Sequence, residues 1–310
     1  MPDASHTQPG RRLLLLHAHP DDETINNGAT MAKYVAERAA VTLVTCTLGE
    51  MGEVVVPDLE HLAHERQGGL GEHRIGELAA AMDELGVTDH RFLGGPGRFH
   101  DSGMAWGEDG GATLAADVHE GAFWHADLKA AADELVAVIR ETRPQVLVTY
   151  DEYGGYGHPD HVQAHRVATY AVSLSGARAY RTDLGRPWAV AKVYWASMSE
   201  SRMRDVLRAL RAAGDTSTFE GMEPDGPLGR WVTADELIDA AIDGSAFVDA
   251  KMAALRAHRT QVTMEHGFFA LSESVGDQMW SHEFYRLAQG ARGPVDPVTG
   301  RESDLFAGLD

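Results

Sequence analysis

Two short segments concentrate the ionisable chemistry of this chain. His17-Ala18-His19-Pro20-Asp21-Asp22-Glu23 packs five ionisable groups into seven residues, and Tyr156-Gly157-His158-Pro159-Asp160-His161 forms a second cluster of the same kind. Each follows an apolar run that reads as a strand, residues 13–17 in one case and 145–150 in the other, the second by way of a glycine-rich loop at 151–155. Ligands of open α/β sheets bind outside the carboxyl ends of strands. Charges at this density are costly to bury unpaired, and a divalent cation would remove that cost. If the two strands are parallel neighbours, a histidine from each plus an aspartate makes the donor set of a catalytic zinc site with an open position; the same set suits ferrous iron. Other roles are open to these residues. Asp21, Asp22 and Glu23 could complement the dipole of a following helix, and the second cluster could be a surface histidine pair. Spacing alone does not rank Asp21 against Asp22.

Positioning such clusters requires a sheet. From Arg11 to Tyr150 short apolar runs alternate with longer amphipathic ones, which predicts βα units and an α/β fold, a Rossmann-like, mostly parallel sheet with helices on both faces. Strands are expected at 13–17, 41–47, 91–94 and 145–150, and helices at 30–39, 64–85 and 126–143, the last stopped by Pro144. A strand at 189–197 and a helix at 201–213 follow, then an acidic stretch to Gly244 with no assignment, a helix at 247–261 and an irregular tail at 290–310. The expected division is an α/β catalytic core over 1–198 and a smaller α+β extension over 199–310 packing on it.

Composition narrows the partners. With 47 acidic and 27 basic residues the formal charge is −20, which repels nucleic-acid phosphates and anionic lipid surfaces and favours a neutral or cationic small molecule. Leu13 to Leu16 is too short an apolar run for a signal or a membrane span. Cys46 is the only cysteine, lies in an apolar strand pattern, and reads as core packing in a reducing, cytoplasmic setting. A dinucleotide enzyme would need a glycine-rich turn after the first strand, where His19-Pro20-Asp21-Asp22 stands instead. Oligomeric state has no signature in the sequence.

HAHPDDE and GHPDH, in that order, together with VTCTLGEMGEV, RIGEL, GRFHDSGMAW, VTYDEYGGYGHPDH and KVYWAS, resemble the LmbE-like family of zinc-dependent N-acetylglucosaminyl de-N-acetylases over most of the first 200 residues. The C-terminal third resembles it far less. The resemblance implies one Zn2+ per chain, or Fe2+ in vivo, on His19, Asp22 and His161, with Asp21 as the general base that activates water and returns the proton to the leaving amine. It implies positive charge from His158 and a hydroxyl from Tyr156 at the developing oxyanion. Asp160 would hydrogen-bond a site histidine and fix its tautomer. Arg74 and Asp101 would meet substrate hydroxyls, and Glu53 and Met104 would line the pocket. A solvated or ion-paired helix face is the alternative for Arg74, and an Asx turn for Asp101. His64, His73 and His266 lack the strand-end setting and read as ordinary histidines. The matching segments are most similar to a branch of mycothiol assembly that deacetylates a glucosaminyl-inositol acetamide. The alternatives are an amidase of mycothiol S-conjugates, which Asn26, Asn27 and the DSGMAW loop disfavour, a deacetylase of another amino sugar, and a non-catalytic sugar-binding member, against which the intact ligand set argues.

Overall fold

The computed structural model describes residues 10–107, 110–212, 214–216, 218–263, 275 and 279–309. In chain order its elements are β1 (Arg12–His17), α1 (Asp22–Ala36), β2 (Ala40–Thr45), α2 (Leu70–Leu85), β3 (Asp89–Phe92), β4 (Ala105–Trp106), β5 (Ala112–Thr113), α3 (Leu128–Thr142), β6 (Val146–Thr149), α4 (Pro159–Ser175), β7 (Lys192–Ser199), α5 (Glu200–Ala212), β8 (Val232–Thr233), β9 (Ala240–Asp243), α6 (Val248–Ala257) and β10 (His282–Gln289). The main sheet runs β3-β2-β1-β6-β7-β10-β9, with β8 paired to β7. Strands β3, β2, β1, β6 and β7 are parallel, while β10 is antiparallel to both of its neighbours. The α/β fold with a mostly parallel sheet is therefore as expected.

Strand order decides where a ligand can sit. From β1 the chain steps outward to β2 and β3, then returns to β1's other side with β6 and continues to β7. The reversal leaves a crevice outside the carboxyl ends of β1 and β6, the switch point of a doubly wound sheet. Both strands are apolar on both faces because helices cover both sides. Leu14, Leu16 and Leu147 pack with Leu135, Ile139 and Val167 of α3 and α4 on one face. Leu13, Leu15, Val146 and Val148 pack with Met31, Leu78, Met82 and Ala254 of α1, α2 and α6 on the other. Each such leucine, wholly buried, contributes on the order of 1.5–3 kcal/mol. Cys46 belongs to the first of these clusters, and burial raises its thiol pKa well above the usual range.

Several boundaries differ from the sequence expectation. Helix α1 begins at Asp22 rather than at residue 30, although Asn26, Asn27 and Gly28 are poor helix formers. Tertiary contacts outweigh propensity here: Asn27 accepts from His17 Nε2 at 2.7 Å and donates to Tyr285 at 3.0 Å, and Gly28 leaves room for the Lys251 stem. Helix α2 starts at Leu70, not residue 64, because Gly68 and Gly69 both take positive φ. Helix α4 and strands β9 and β10 were not anticipated. The tail is irregular but firmly packed. Glu302, fully buried, accepts from Lys192 Nζ at 2.7 Å and from Tyr194 at 2.6 Å, and its backbone bonds to Asp239 and Ala241 along the outer side of β9. No helix among the described residues is long and apolar enough to cross a membrane.

Candidate active site

The two clusters meet in the crevice. The chain leaves β1 at His17, turns at Pro20 and enters α1 with Asp21 at the N-cap position. Asp21 has φ 112° and ψ −37° and its side chain makes no capping bond. A non-glycine residue in such backbone costs roughly 1–3 kcal/mol and persists only where its surroundings hold it. Asp22 also turns away from a capping role. Its Oδ2 accepts from the His19 amide at 3.0 Å and from the Tyr150 hydroxyl at 2.7 Å, and Tyr150 in turn accepts from the Ala18 amide at 2.9 Å.

The other half comes from the loop after β6 and the first turn of α4. His158 is the N-cap and Pro159 the first helical residue, the position where a missing N–H and a fixed φ suit a helix start. His161 lies one half-turn on, with Nδ1 donating to the Gly154 carbonyl at 3.1 Å. Gly154 sits at φ 72°, and a Cβ there would come within 2.7 Å of the Val162 nitrogen and 2.8 Å of the His161 Cβ. Only glycine lets that carbonyl approach so closely.

Hydrogen bonding settles which imidazole nitrogens face inward. With Nδ1 donating to Gly154, His161 keeps a lone pair on Nε2, which is buried, has no hydrogen-bond partner among the described residues, and lies 3.3 Å from Asp22 Oδ2. His19 Nδ1 is likewise 3.3 Å from that oxygen, while its Nε2 lies 3.2 Å from Asp160 Oδ2 and 3.5 Å from Asp101 Oδ1. Thus His19 Nδ1, Asp22 Oδ2 and His161 Nε2 converge, and each imidazole is fixed from behind by a carboxylate or a carbonyl, as ligands of a divalent ion usually are. His158 also has a ring nitrogen within 4.8 Å of donor atoms of His19 and His161, and Asp101 and Asp160 gather as closely around His19. However, the carboxylates of Asp101 and Asp160 both lie on its Nε2 side, and His158 Nδ1 already accepts from the Asp160 amide at 3.1 Å. The donor set fits a divalent metal.

The electrostatics follow from burial and from these contacts. Burial alone would raise Asp22, but His161 and His19 bring its pKa well below the usual carboxylate range. Burial opposes a charged His19, yet Asp101, Asp160 and Asp22 outweigh it and raise its pKa, a negative field that a metal cation would neutralise. Burial raises Asp21 to about 6, against the pull of Arg74, whose guanidinium donates to Asp21 Oδ2 at 3.0 Å. Burial next to His19 and His161 lowers His158 to about 2. That ring therefore offers a neutral Nε2–H donor in place of the positive charge expected of it. Burial, chiefly, raises the Tyr156 phenol, so its hydroxyl stays protonated.

The remaining expected site residues fall in different surroundings. Arg74 is almost fully buried rather than solvated, and donates to the Gly49 and Pro20 carbonyls as well as to Asp21. Asp101 is buried and accepts from the Met51 and Gly103 amides at 3.1 and 2.8 Å. Asp160, wholly buried, also takes both the amide and the hydroxyl of Ser102. Met104 is half-buried beside β4, and Glu53 is exposed on the loop after β2. The Tyr156 ring stands 5.1 Å from His161 and 6.1 Å from His158, centre to centre. His64 and His73 are on the surface, and His266 lies outside the described residues. Sequence reasoning overlooked Tyr150, Ser102 and His258. Tyr150 ends an apolar strand with a hydroxyl aimed at a motif residue, which is a readable signal; Ser102 and His258 carry none.

Comparison with known proteins sets this geometry in context. The family profile described as GlcNAc-PI de-N-acetylase (PIG-L) matches residues 14–172. A protein of Nocardioides sp. strain JS614, named 1D-myo-inositol 2-acetamido-2-deoxy-alpha-D-glucopyranoside deacetylase, is 65% identical over 299 residues, covering 96% of this chain and 99% of that one. Among solved structures, N,N'-diacetylchitobiose deacetylase from Pyrococcus horikoshii superposes with a TM-score of 0.57 at 16% identity, covering 90% of this chain and 84% of the other. The hydratase GalB from Pseudomonas putida KT2440 gives a TM-score of 0.54 at 17% identity, with 92% and 99% covered. At such identities the likeness is one of fold, and that fold carries both deacetylation and hydration.

Proposed function

The chain belongs to the PIG-L family of GlcNAc-PI de-N-acetylases, and from that membership we propose that it hydrolyses the N-acetyl group of 1D-myo-inositol 2-acetamido-2-deoxy-α-D-glucopyranoside to the free amine and acetate, with one zinc ion per chain, in the cytoplasm. The substrate is supported by full-length likeness to a deacetylase so named. One observation carries the chemistry: His161 Nε2, buried with no hydrogen-bond partner among the described residues, faces the same Asp22 oxygen as His19 Nδ1.

His19, Asp22 and His161 would hold the ion, which when bound supplies the Lewis acidity that acidifies water and polarises the acetamide carbonyl. Asp21 takes the proton of the attacking water, being ionised at neutral pH yet basic enough, at about 6, to accept it. Arg74 anchors one Asp21 oxygen and so fixes the direction of transfer. His158 Nε2–H and the Tyr156 hydroxyl donate to the oxygen on which charge develops. Asp21 then returns its proton to the leaving amine.

Amine release from the acetamide by purified protein tests this reading, measured before and after chelation, with zinc or ferrous iron returned, and with a mycothiol S-conjugate alongside. Metal-dependent release from the acetamide and little conjugate cleavage is the expected result. Preference for the conjugate would make the chain an amidase, and silence on both would remove the substrate assignment. The metal that restores more activity identifies the working ion.

A further inference from the structure

The general base is held in a backbone conformation that its own residue type disfavours, and the parts that hold it come from opposite ends of the chain. The Asp21 amide donates to Glu23 Oε2 at 3.0 Å, and its carbonyl accepts from the Thr24 and Ile25 amides at 3.0 and 2.9 Å. Glu23, wholly buried, therefore stands directly behind the base. Its other oxygen, Oε1, accepts from the Thr24 hydroxyl at 2.6 Å and from His258 Nε2 at 2.9 Å. His258 is also wholly buried and follows Glu23 by 235 residues. It is the C-cap of α6, and the segment after it is tied down in turn: Thr260 donates through amide and hydroxyl to Glu77 of α2, and its carbonyl accepts from Val55.

We propose that His258, acting through Glu23, is a positioning residue for Asp21. A carboxylate free to rotate could leave the Asp21 amide, and the left-handed turn would then relax toward ordinary backbone, carrying the base away from the crevice. The Nε2–H of His258 fixes the Glu23 rotamer and so keeps that turn closed. Arg74 holds the same residue from the side-chain end, so Asp21 is gripped from α2 through Arg74 and from α6 through His258. The inference rests on reading Asp21 as the general base.

The test compares His258→Leu, which removes the donor, with His258→Gln, whose terminal amide keeps a donor near the Nε2 position. Turnover, KM, zinc content and melting temperature are measured for both, together with hydrogen exchange of the peptide containing the Asp21 amide. In His258→Leu we expect kcat to fall about 100-fold with KM and zinc content unchanged, and exchange at Asp21 to quicken; His258→Gln recovers most of both. Unchanged kcat and exchange in His258→Leu would overturn the proposal. So would losses that track melting temperature and zinc content and are no smaller in His258→Gln. Should the unmodified protein release no amine, the substrate reading fails, while the exchange comparison still decides the role of His258.

Discussion

On the proposed reading Asp21 moves a proton and His161 is a ligand, so the two are separable by experiment. Replacing Asp21 with Asn should leave metal content intact and lower kcat by about 10²–10⁴-fold, whereas His161→Ala should lose the metal as well; elemental analysis beside turnover distinguishes them. Asp21 also predicts a pH dependence. As the proposed base, with its carboxyl raised to about 6, it would have to be ionised to act, so kcat/KM should be level above that value and fall about tenfold per unit below it. Arg74→Met removes the cation that holds Asp21 down, so the acid limb should move to higher pH; a limb that stayed in place would mean another group sets it. The motif residues were legible in the sequence because charges packed after apolar strands have few inexpensive uses. The support behind them was not. Nothing near Glu23 announces a histidine 235 residues away, and Arg74 sits on a helix face where solvent exposure is the ordinary expectation.

Between residue and fold stand the two strand-to-helix loops, each shaped by backbone that few side chains allow. Gly154 is the sharpest case, since the contacts that a Cβ would make are with the helix turn bearing His161. Gly154→Ala should displace the carbonyl that orients His161 and lower zinc affinity about 10- to 100-fold, read by competition with a chromogenic chelator. Strands β1, β2 and β6 and helices α2 and α3 were readable from period and punctuation. The start of α1 was not, because Asn27 and Gly28 are chosen for what they touch rather than for helicity. Strands β9 and β10 escaped for a different reason. Glu283 and Arg286 interrupt the apolar pattern of β10, and β9 is only four residues long.

Across the whole molecule, β9 and β10 of the C-terminal third extend the sheet that carries the site rather than hanging beside it. Lys192 of β7 is buried against Glu302, and removing one member of such a pair strands the other charge. Glu302→Ala should therefore lose about 3–5 kcal/mol of stability, and Glu302→Leu combined with Lys192→Met should recover much of it; urea unfolding followed by circular dichroism measures both. The composition of the tail hid this role, since a proline- and glycine-rich segment without periodicity gives no sign that one glutamate in it is wholly buried.

Glu302 takes the Asp239 carbonyl and the Ala241 amide along the outer side of β9, the last strand of the sheet, and so covers part of its edge. An uncovered strand edge is a template on which another chain can add itself. The tail thus acts as a stopper: a protein shortened before residue 290 would bare that edge, and its failure at working concentration would be aggregation, with turbidity rising alongside the loss of soluble enzyme.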